Sequence, residues 1–303
     1  MGSPGGGETQ AIALHPTNQQ VMYLGAAAGL CKTTKGGLDN WPAVGLQSLS
    51  PRTIVIDPRN HDVVFAGTYE SGVFRTRDGG RSWGSASQGI SEPRVRALVV
   101  APYSVLYAGT DGGGIFRSGD GAESWEEMNR GLIDKTVRAL VLDPSSPNRL
   151  YAGTWHGVYK SVDGGENWSP TELYDVDVRA LAFDPTDTET LYAATYPRGV
   201  FRSQDGGRTW KPGAKPLTED ILTVAVDPKT PANVYVGTRA GVFRSSDRGE
   251  SFEPAGLSWS NRTWTLVFDP RTDPPTLYYG GEGGVLKTTN GGRWWEVTGP
   301  KRK

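Results

Sequence analysis

Ser161-Val162-Asp163-Gly164-Gly165-Glu166-Asn167-Trp168 sets a hydroxyl, a carboxylate, two glycines and a tryptophan at fixed spacing, and the phrase returns along the whole chain. Its copies run Thr76–Trp83, Ser118–Trp125, Ser203–Trp210, Ser245–Phe252 and Thr288–Trp295, with a degenerate one from Thr33 to Trp41. Measured at the Asp position, successive copies lie 42 or 43 residues apart. A fixed period of this size marks a repeat architecture. Seven such units account for essentially all 303 residues, leaving no room for a second domain.

The order of signals within a unit is constant. In the fourth, an apolar run ends in Asp-Pro (Val137 to Pro144), an aromatic-rich run follows (Leu150 to Thr154), then a short alternating run (Gly157 to Ser161), the Asp-Gly-Gly turn and a Trp-led segment. β-Branched and aromatic enrichment, alternation and bounding Gly, Pro and Asp make these four strands, and no stretch sustains an apolar period of 3.6. A four-stranded sheet of this length cannot bury both faces alone, so it stacks on its neighbours around an axis. The reading is therefore all-β: a seven-bladed β-propeller with four antiparallel strands per blade. The blades are expected at about residues 9–46, 47–90, 91–132, 133–173, 174–217, 218–257 and 258–299, with a flexible tail at 1–8 and a basic one at 300–303. The first and last units each look complete. The ring is expected to close without exchanging a strand, held at the seam by face packing alone.

Composition narrows the function classes. Gly (41) and Pro (21) make up about a fifth of the chain, well above the ~12% of an average protein, as a turn-rich fold requires. With 36% hydrophobic and 21% charged residues the chain is too balanced for intrinsic disorder and long enough to bury a core. No apolar run approaches the ~18 residues of a membrane span; a soluble monomer is expected. The formal charge of −1, with both signs interspersed, lacks the basic footprint of a nucleic-acid binder. The single cysteine, Cys31, excludes an intramolecular disulfide, and its alignment with Phe74, Phe116, Tyr159, Phe201 and Phe243 makes it a packing residue. Met1 to Gly7 has neither the basic nor the apolar stretch of a secretory signal. Compartment is left open, an exported or periplasmic location being favoured with any signal removed.

In the turn phrase, a short carboxylate can accept backbone N–H bonds, the glycines tolerate positive φ, and the hydroxyl two residues earlier bonds locally. The Trp then covers the turn. These residues resemble the Asp-box, or BNR, repeat of sialidases, sortilin-type receptors, xyloglucanase-type glycosidases and photosystem II assembly and stability factors. The resemblance spans all seven units. It implies propeller architecture with the boxes between third and fourth strands, away from the ligand face, and no single activity. The Arg-Ile-Pro phrase of sialidases is absent, and xyloglucanase-type enzymes build their cleft between two propellers.

No cofactor or metal site is expected. The box aspartates are read as scaffold, no EF-hand spacing occurs, and His15, His61 and His156 form neither a triad nor a metal motif. Gly280 to Gly284 joins two strands rather than opening a helix, which argues against a phosphate loop. Positions that differ between units carry the functional reading. Five residues before the Asp of Asp-Pro stand Arg52, Arg96, Arg138 and Arg179 in consecutive blades, with Gln10, Leu222 and Trp264 in the others. The innermost strand starts on the face where the loops between blades and between second and third strands emerge, so these side chains are expected at the mouth of the central channel. The planar guanidinium fork suits carboxylate recognition. The alternative is that each arginine packs between blades against an acid such as Asp134 or Asp177. Tyr69, Trp155, His156, Tyr196, Arg198 and Arg239, from the loops between second and third strands, join the mouth and give it the aromatics and cations of recognition surfaces. The free tryptophans, Trp259 among them, could instead fold back over the core.

Two functional readings follow. One is a non-catalytic binding propeller that holds an acidic or extended segment of another protein, as in assembly factors. The other is a carbohydrate-binding or glycoside-hydrolysing propeller using mouth acids (Glu70, Asp111, Asp134, Asp177, Asp220, Glu282) and aromatic platforms. Catalysis is left open, with binding favoured.

Overall fold

Every unit forms four strands that pair in chain order, and the result is seven separate four-stranded antiparallel sheets. The computed structural model describes residues 8–38, 41–215, 217–256 and 262–298. The expected tails (Glu8 apart), Trp259, and Asp39 and Asn40 of the first unit's turn lie outside the described residues. Blade 4 is representative, with strands Val137–Leu142, Leu150–Thr154, Gly157–Ser161 and Ser169–Tyr174 from the axis outward. Its outermost strand has 6 residues, whereas those of the other blades have 2 or 3.

Two features set how closely neighbouring sheets approach. The second strand carries glycine at the point facing the next blade. A Cβ on Gly67 would stand 2.6 Å from Val95 Cγ1, one on Gly109 2.6 Å from Val137 Cγ1, and one on Gly153 2.7 Å from Val178 Cγ1. Blade 5 alone places a side chain there, the methyl of Ala194. Beside this contact, donors from one blade reach the turn of the next. Tyr23 Oη and Lys32 Nζ both donate to the Gly79 carbonyl (2.9 and 2.7 Å), Tyr107 Oη to Gly164 (2.9 Å), Tyr151 Oη and Lys160 Nζ to Gly206 (both 2.7 Å), and Arg202 Nη1 to Arg248 (2.9 Å). Arg75 makes the same contact with Gly121. A cation precedes the turn hydroxyl in all seven units (Lys32, Arg75, Arg117, Lys160, Arg202, Arg244, Lys287).

The turn itself is held by side chains. Ser161 Oγ donates to Asp163 Oδ1 (2.8 Å) and accepts from Gly165 N–H (2.9 Å), while Asp163 Oδ1 accepts from Asn167 N–H (3.0 Å). Gly164 and Gly165 adopt φ of 73° and 89°, in the left-handed region where a side chain is strained. The tryptophan does more than cover its own turn. Trp125, Trp168 and Trp295 donate their indole N–H to Ala86, Met128 and Ala255 carbonyls of the preceding blade (2.8, 2.9 and 2.8 Å), whereas Trp210 bonds within its own turn. The phrase is thus also part of the interface between blades.

The first and seventh sheets each use only their own strands, so closure exchanges none. The seam is not face packing alone. Tyr278 and Val285 of blade 7 share a core cluster with Ile12, Met22, Leu24, Cys31 and Trp41 of blade 1, and Arg271, fixed by Asp269 (2.7 and 2.9 Å), donates to the His15 carbonyl at 2.6 Å. His15 replaces the usual turn aspartate by accepting the Thr17 and Asn18 N–H groups at Nδ1, as Asp57 Oδ1 accepts those of Arg59 and Asn60. Cys31 is buried there, and burial pushes its thiol pKa up.

Gly153→Val is expected to lower stability by about 1–3 kcal/mol through overpacking against Val178, and Gly153→Ala by less, both read by chemical denaturation. Burial alone would raise Asp205 and Asp247, but hydrogen bonds from Thr209 and Ser203, and from Ser245 and Ser251, hold each at about 2. Asp78 and Asp120 lie well below the usual carboxylate range because Ser82 and Ser124 donate to them. A folded pKa below the unfolded value of about 4 stabilises the fold above that pH and ceases to do so as pH falls towards 2. The denaturation midpoint is therefore expected to hold above pH 5 and to drop between pH 4 and 2. Asp205→Asn with Asp247→Asn, imitating native Asn290, should flatten part of that drop; an unchanged acid limb contradicts this assignment.

Candidate functional site

The innermost strands are Thr9–Leu14, Pro51–Ile56, Val95–Val100, Val137–Leu142, Asp177–Asp184, Ile221–Val226 and Thr263–Asp269. They run side by side around the axis and present equivalent residues at equal depth. Gln10, Arg52, Arg96, Arg138, Arg179, Leu222 and Trp264 together line one cavity of about 270 Å³, to which the loop residue Arg239 adds its side chain. The next position along each strand is Ala or Thr in every blade (Ala11, Thr53, Ala97, Ala139, Ala180, Thr223, Thr265), so small side chains follow the arginine ring and the cavity continues inward. Below them stand Ile12, Ile54, Leu98, Leu140, Leu181 and Val224.

Aromatics and acids hold the guanidinium groups from the loop side. Arg52 lies over the Tyr69 ring at 4.7 Å, with Arg96 on the same ring at 5.7 Å; Arg138 is over Trp155 at 5.2 Å and Arg179 over Tyr196 at 4.7 Å. Arg96 pairs with Asp111 at 2.6 Å. Arg179 bridges Asp177 at 3.0 Å and Asp220, and Asp220 also binds Arg239. Arg138 Nε stands 3.3 Å from Asp177 Oδ1 without the alignment of a hydrogen bond. Arg52 has no acid within ion-pair distance among the described residues. The pairing expected of the packing alternative thus exists with Asp177, as named, and also with Asp111 and Asp220, but not with Asp134, which instead holds His156 through N–H (2.8 Å) and Nδ1 (3.1 Å).

These contacts leave several solvent-inaccessible polar atoms of the ring without a hydrogen-bond partner in the protein: Arg52 Nε, Arg138 Nε and Trp264 Nε1 as donors, Gln10 Oε1 and Asp177 Oδ1 as acceptors. Orphaned buried donors cost about 1–3 kcal/mol each, and Trp41 Nε1, Trp83 Nε1, Arg117 Nε and Arg244 Nε share this state away from the cavity. Burial lowers the pKa of Arg52, with nearby Arg96 adding to the effect. Burial likewise lowers that of Arg138, against the attraction of Asp177 and with the repulsion of Arg96 and Arg179. Four strand arginines and Arg239 line this one small cavity, and their like charges favour an anion inside it.

The remaining sequence candidates sit apart from the cavity. His156 is exposed and turned to Asp134, and Arg198 lies on the exposed turn after Tyr196. Trp155 is 54% exposed beside the ring, so it does not fold back over the core. Sequence reading names Asp177 as an arginine partner, whereas it names Asp111 and Asp220 only as mouth acids; for Asp111 a register signal exists. The residue after Gly-Thr or its equivalent is Tyr69, Asp111, Trp155, Tyr196, Arg239 and Glu282 in successive blades, a second ring above the first. Among the described residues no group of three His, Cys, Asp or Glu side chains could hold a metal ion.

No protein-family model matches the chain, and no curated protein matches it. Solved structures do. "YCF48 bound to D1 peptide" is similar at 18% identity over 95% of this chain and 94% of that one, with a TM-score of 0.74. YCF48 from Cyanidioschyzon merolae is similar at 14% identity over 94% and 95%, TM-score 0.71. An ancestral GH74 enzyme is similar at 22% identity over 80% of this chain, which spans only 38% of that longer protein, TM-score 0.66. At these identities the likeness is one of fold: a single seven-bladed propeller, matched along its length by the YCF48 structures and in part by the enzyme.

Proposed function

We propose that the protein is a non-catalytic binding propeller whose channel mouth holds an acidic segment of another protein. The observation that carries this is the convergence of four strand arginines and Arg239 on one cavity that no Asp or Glu lines among the described residues. A carboxylate accepts hydrogen bonds at two oxygens and would engage two of these guanidinium groups while relieving the repulsion between them. The repeat's resemblance to Asp-box assembly factors and the full-length similarity to a propeller whose title names a bound peptide support the same reading. A second reading, carbohydrate binding or cleavage, is favoured by exposed Trp155, by Trp264 in the cavity wall and by the partial match to a GH74 enzyme. Against hydrolysis, which uses a pair of carboxylates, no Asp or Glu is among the described residues lining the cavity, and Asp111, Asp177 and Asp220 are engaged with arginines.

A fluorescein-labelled peptide of alternating Glu and Ala is the direct probe. Its affinity, followed by anisotropy, should fall with rising salt and weaken at least tenfold in Arg52→Ser/Arg138→Ser, while a Gln/Ala analogue binds poorly to either protein. Unchanged affinity in the double variant contradicts the proposal, and release of reducing sugar from plant or bacterial polysaccharides would establish the second reading in its place. The same geometry separates two kinds of arginine. Arg179→Ser leaves Asp177 and Asp220 short of a partner and should cost about 1–3 kcal/mol, whereas Arg52→Ser should stay within about 1 kcal/mol in thermal or chemical denaturation.

A further inference from the structure

Among the described residues, the large exposed apolar side chains of the mouth face, Ile133 (85% exposed), Trp155, Tyr174 (69%) and Tyr196, belong to blades 4 and 5. Three of them lie along one radius. Trp155 stacks on Arg138 at the cavity edge, Ile133 precedes Asp134 in the loop entering blade 4, and Tyr174 ends the outermost strand, opposite Gly157. Hydrogen bonds join the three segments into one ledge: Asp134 Oδ2 accepts from His156 N–H at 2.8 Å, the Thr136 carbonyl from Trp155 N–H at 3.3 Å, and the His156 carbonyl from Asp175 N–H at 2.9 Å. Only in blade 4 does the outermost strand extend to 6 residues, which carries Tyr174 up to the mouth rim. Beyond Tyr174 a groove of about 630 Å³ follows this strand, lined by Pro170, Thr171, Glu172 and, from blade 5, Arg208.

We infer that the bound segment leaves the arginine cavity radially across blade 4 as an extended chain and is selected for apolar side chains as well as an acid. The inference rests on the cavity reading above and adds a direction and a spacing to it. The innermost and outermost strands of a blade are separated by three inter-strand spacings, about 14 Å at ~4.8 Å each, which an extended chain covers in about four residues at ~3.3 Å. Trp155, in the link between second and third strands, stands about half-way, or two residues out. Side chains two and four residues from the acid point to the same side of an extended chain as the acid itself. The partner is therefore an extended peptide carrying Asp or Glu with apolar residues two and four positions away: the acid enters the cavity, the first apolar residue meets Trp155 and Ile133, and the second meets Tyr174.

A phage-displayed library of random twelve-residue peptides, selected on the whole chain, tests this. The expected enrichment is an acid with apolar residues at the second and fourth positions from it, in one chain direction. An enriched peptide, labelled and titrated, should bind Ile133→Ser/Tyr174→Ser about tenfold more weakly; both residues are largely exposed, and circular dichroism checks that the fold is kept. Loss of binding in Arg52→Ser/Arg138→Ser should accompany it. Enrichment of acids without spaced apolar residues, or affinity indifferent to Ile133→Ser/Tyr174→Ser but dependent on the arginines, overturns the path and leaves the cavity reading standing. Peptides indifferent to the arginines, or no enrichment at all, overturn both.

Discussion

Side-by-side packing of the seven sheets is the constraint from which everything else in the molecule follows. In six blades the sheet meets the next where a second-strand glycine admits a first-strand side chain, as Gly153 admits Val178, and five interfaces are tied again by a tyrosine or cation reaching the neighbour's turn carbonyl, as Tyr151 and Lys160 reach Gly206. Because the contact is the same in kind around the ring, the innermost strands lie at equal depth. Equal depth turns a register in the sequence into a ring in space. Arg52, Arg96, Arg138 and Arg179 are 41 to 44 residues apart in the chain and share one cavity wall.

The box turns and the arginine-lined mouth thereby occupy opposite ends of the same strands. At the turn end the carboxylates of Asp78, Asp120, Asp163, Asp205 and Asp247 accept local hydrogen bonds that hold their own turns. At the mouth end the ring is asymmetric. Four blades contribute arginine and the others Gln10, Leu222 and Trp264, so one arc is cationic and the other mostly apolar. Within the cationic arc, Arg96 and Arg179 are neutralised by Asp111, Asp177 and Asp220, while Arg52 and Arg138 keep unpaired Nε–H groups. Charge is thus divided between holding the loops and facing the cavity.

The fold was legible because its signal is repeated: a strand pattern too short to be trusted once becomes decisive when it recurs at a constant step with its turn residues in place. The ring was legible for the same reason, by counting from Asp-Pro to Arg138 and its equivalents. What register could not supply is the partner of each arginine. Asp177 and Asp220 sit two residues before the ring position, and Asp111 comes from a hairpin link, so their convergence depends on loop geometry that differs from blade to blade. The reach of Trp125 or Trp168 into the preceding blade was likewise hidden, since a local phrase does not say which neighbour its aromatic will face. Nor does anything at Arg271 announce a hydrogen bond to His15, 256 residues away, at the ring-closing seam.

An anionic group in the cavity is expected to settle on Arg52 and Arg138, whose Nε–H groups make no hydrogen bond within the protein. Proton–nitrogen correlation spectra of the arginine Nε–H groups, recorded while an acidic peptide is added, observe those atoms directly. The Arg52 and Arg138 signals are expected to move most and saturate together with binding, while Arg179, already held by Asp177, changes little. Saturable binding that leaves both signals in place, or that moves arginines of the turn face such as Arg75 and Arg202 instead, would contradict it.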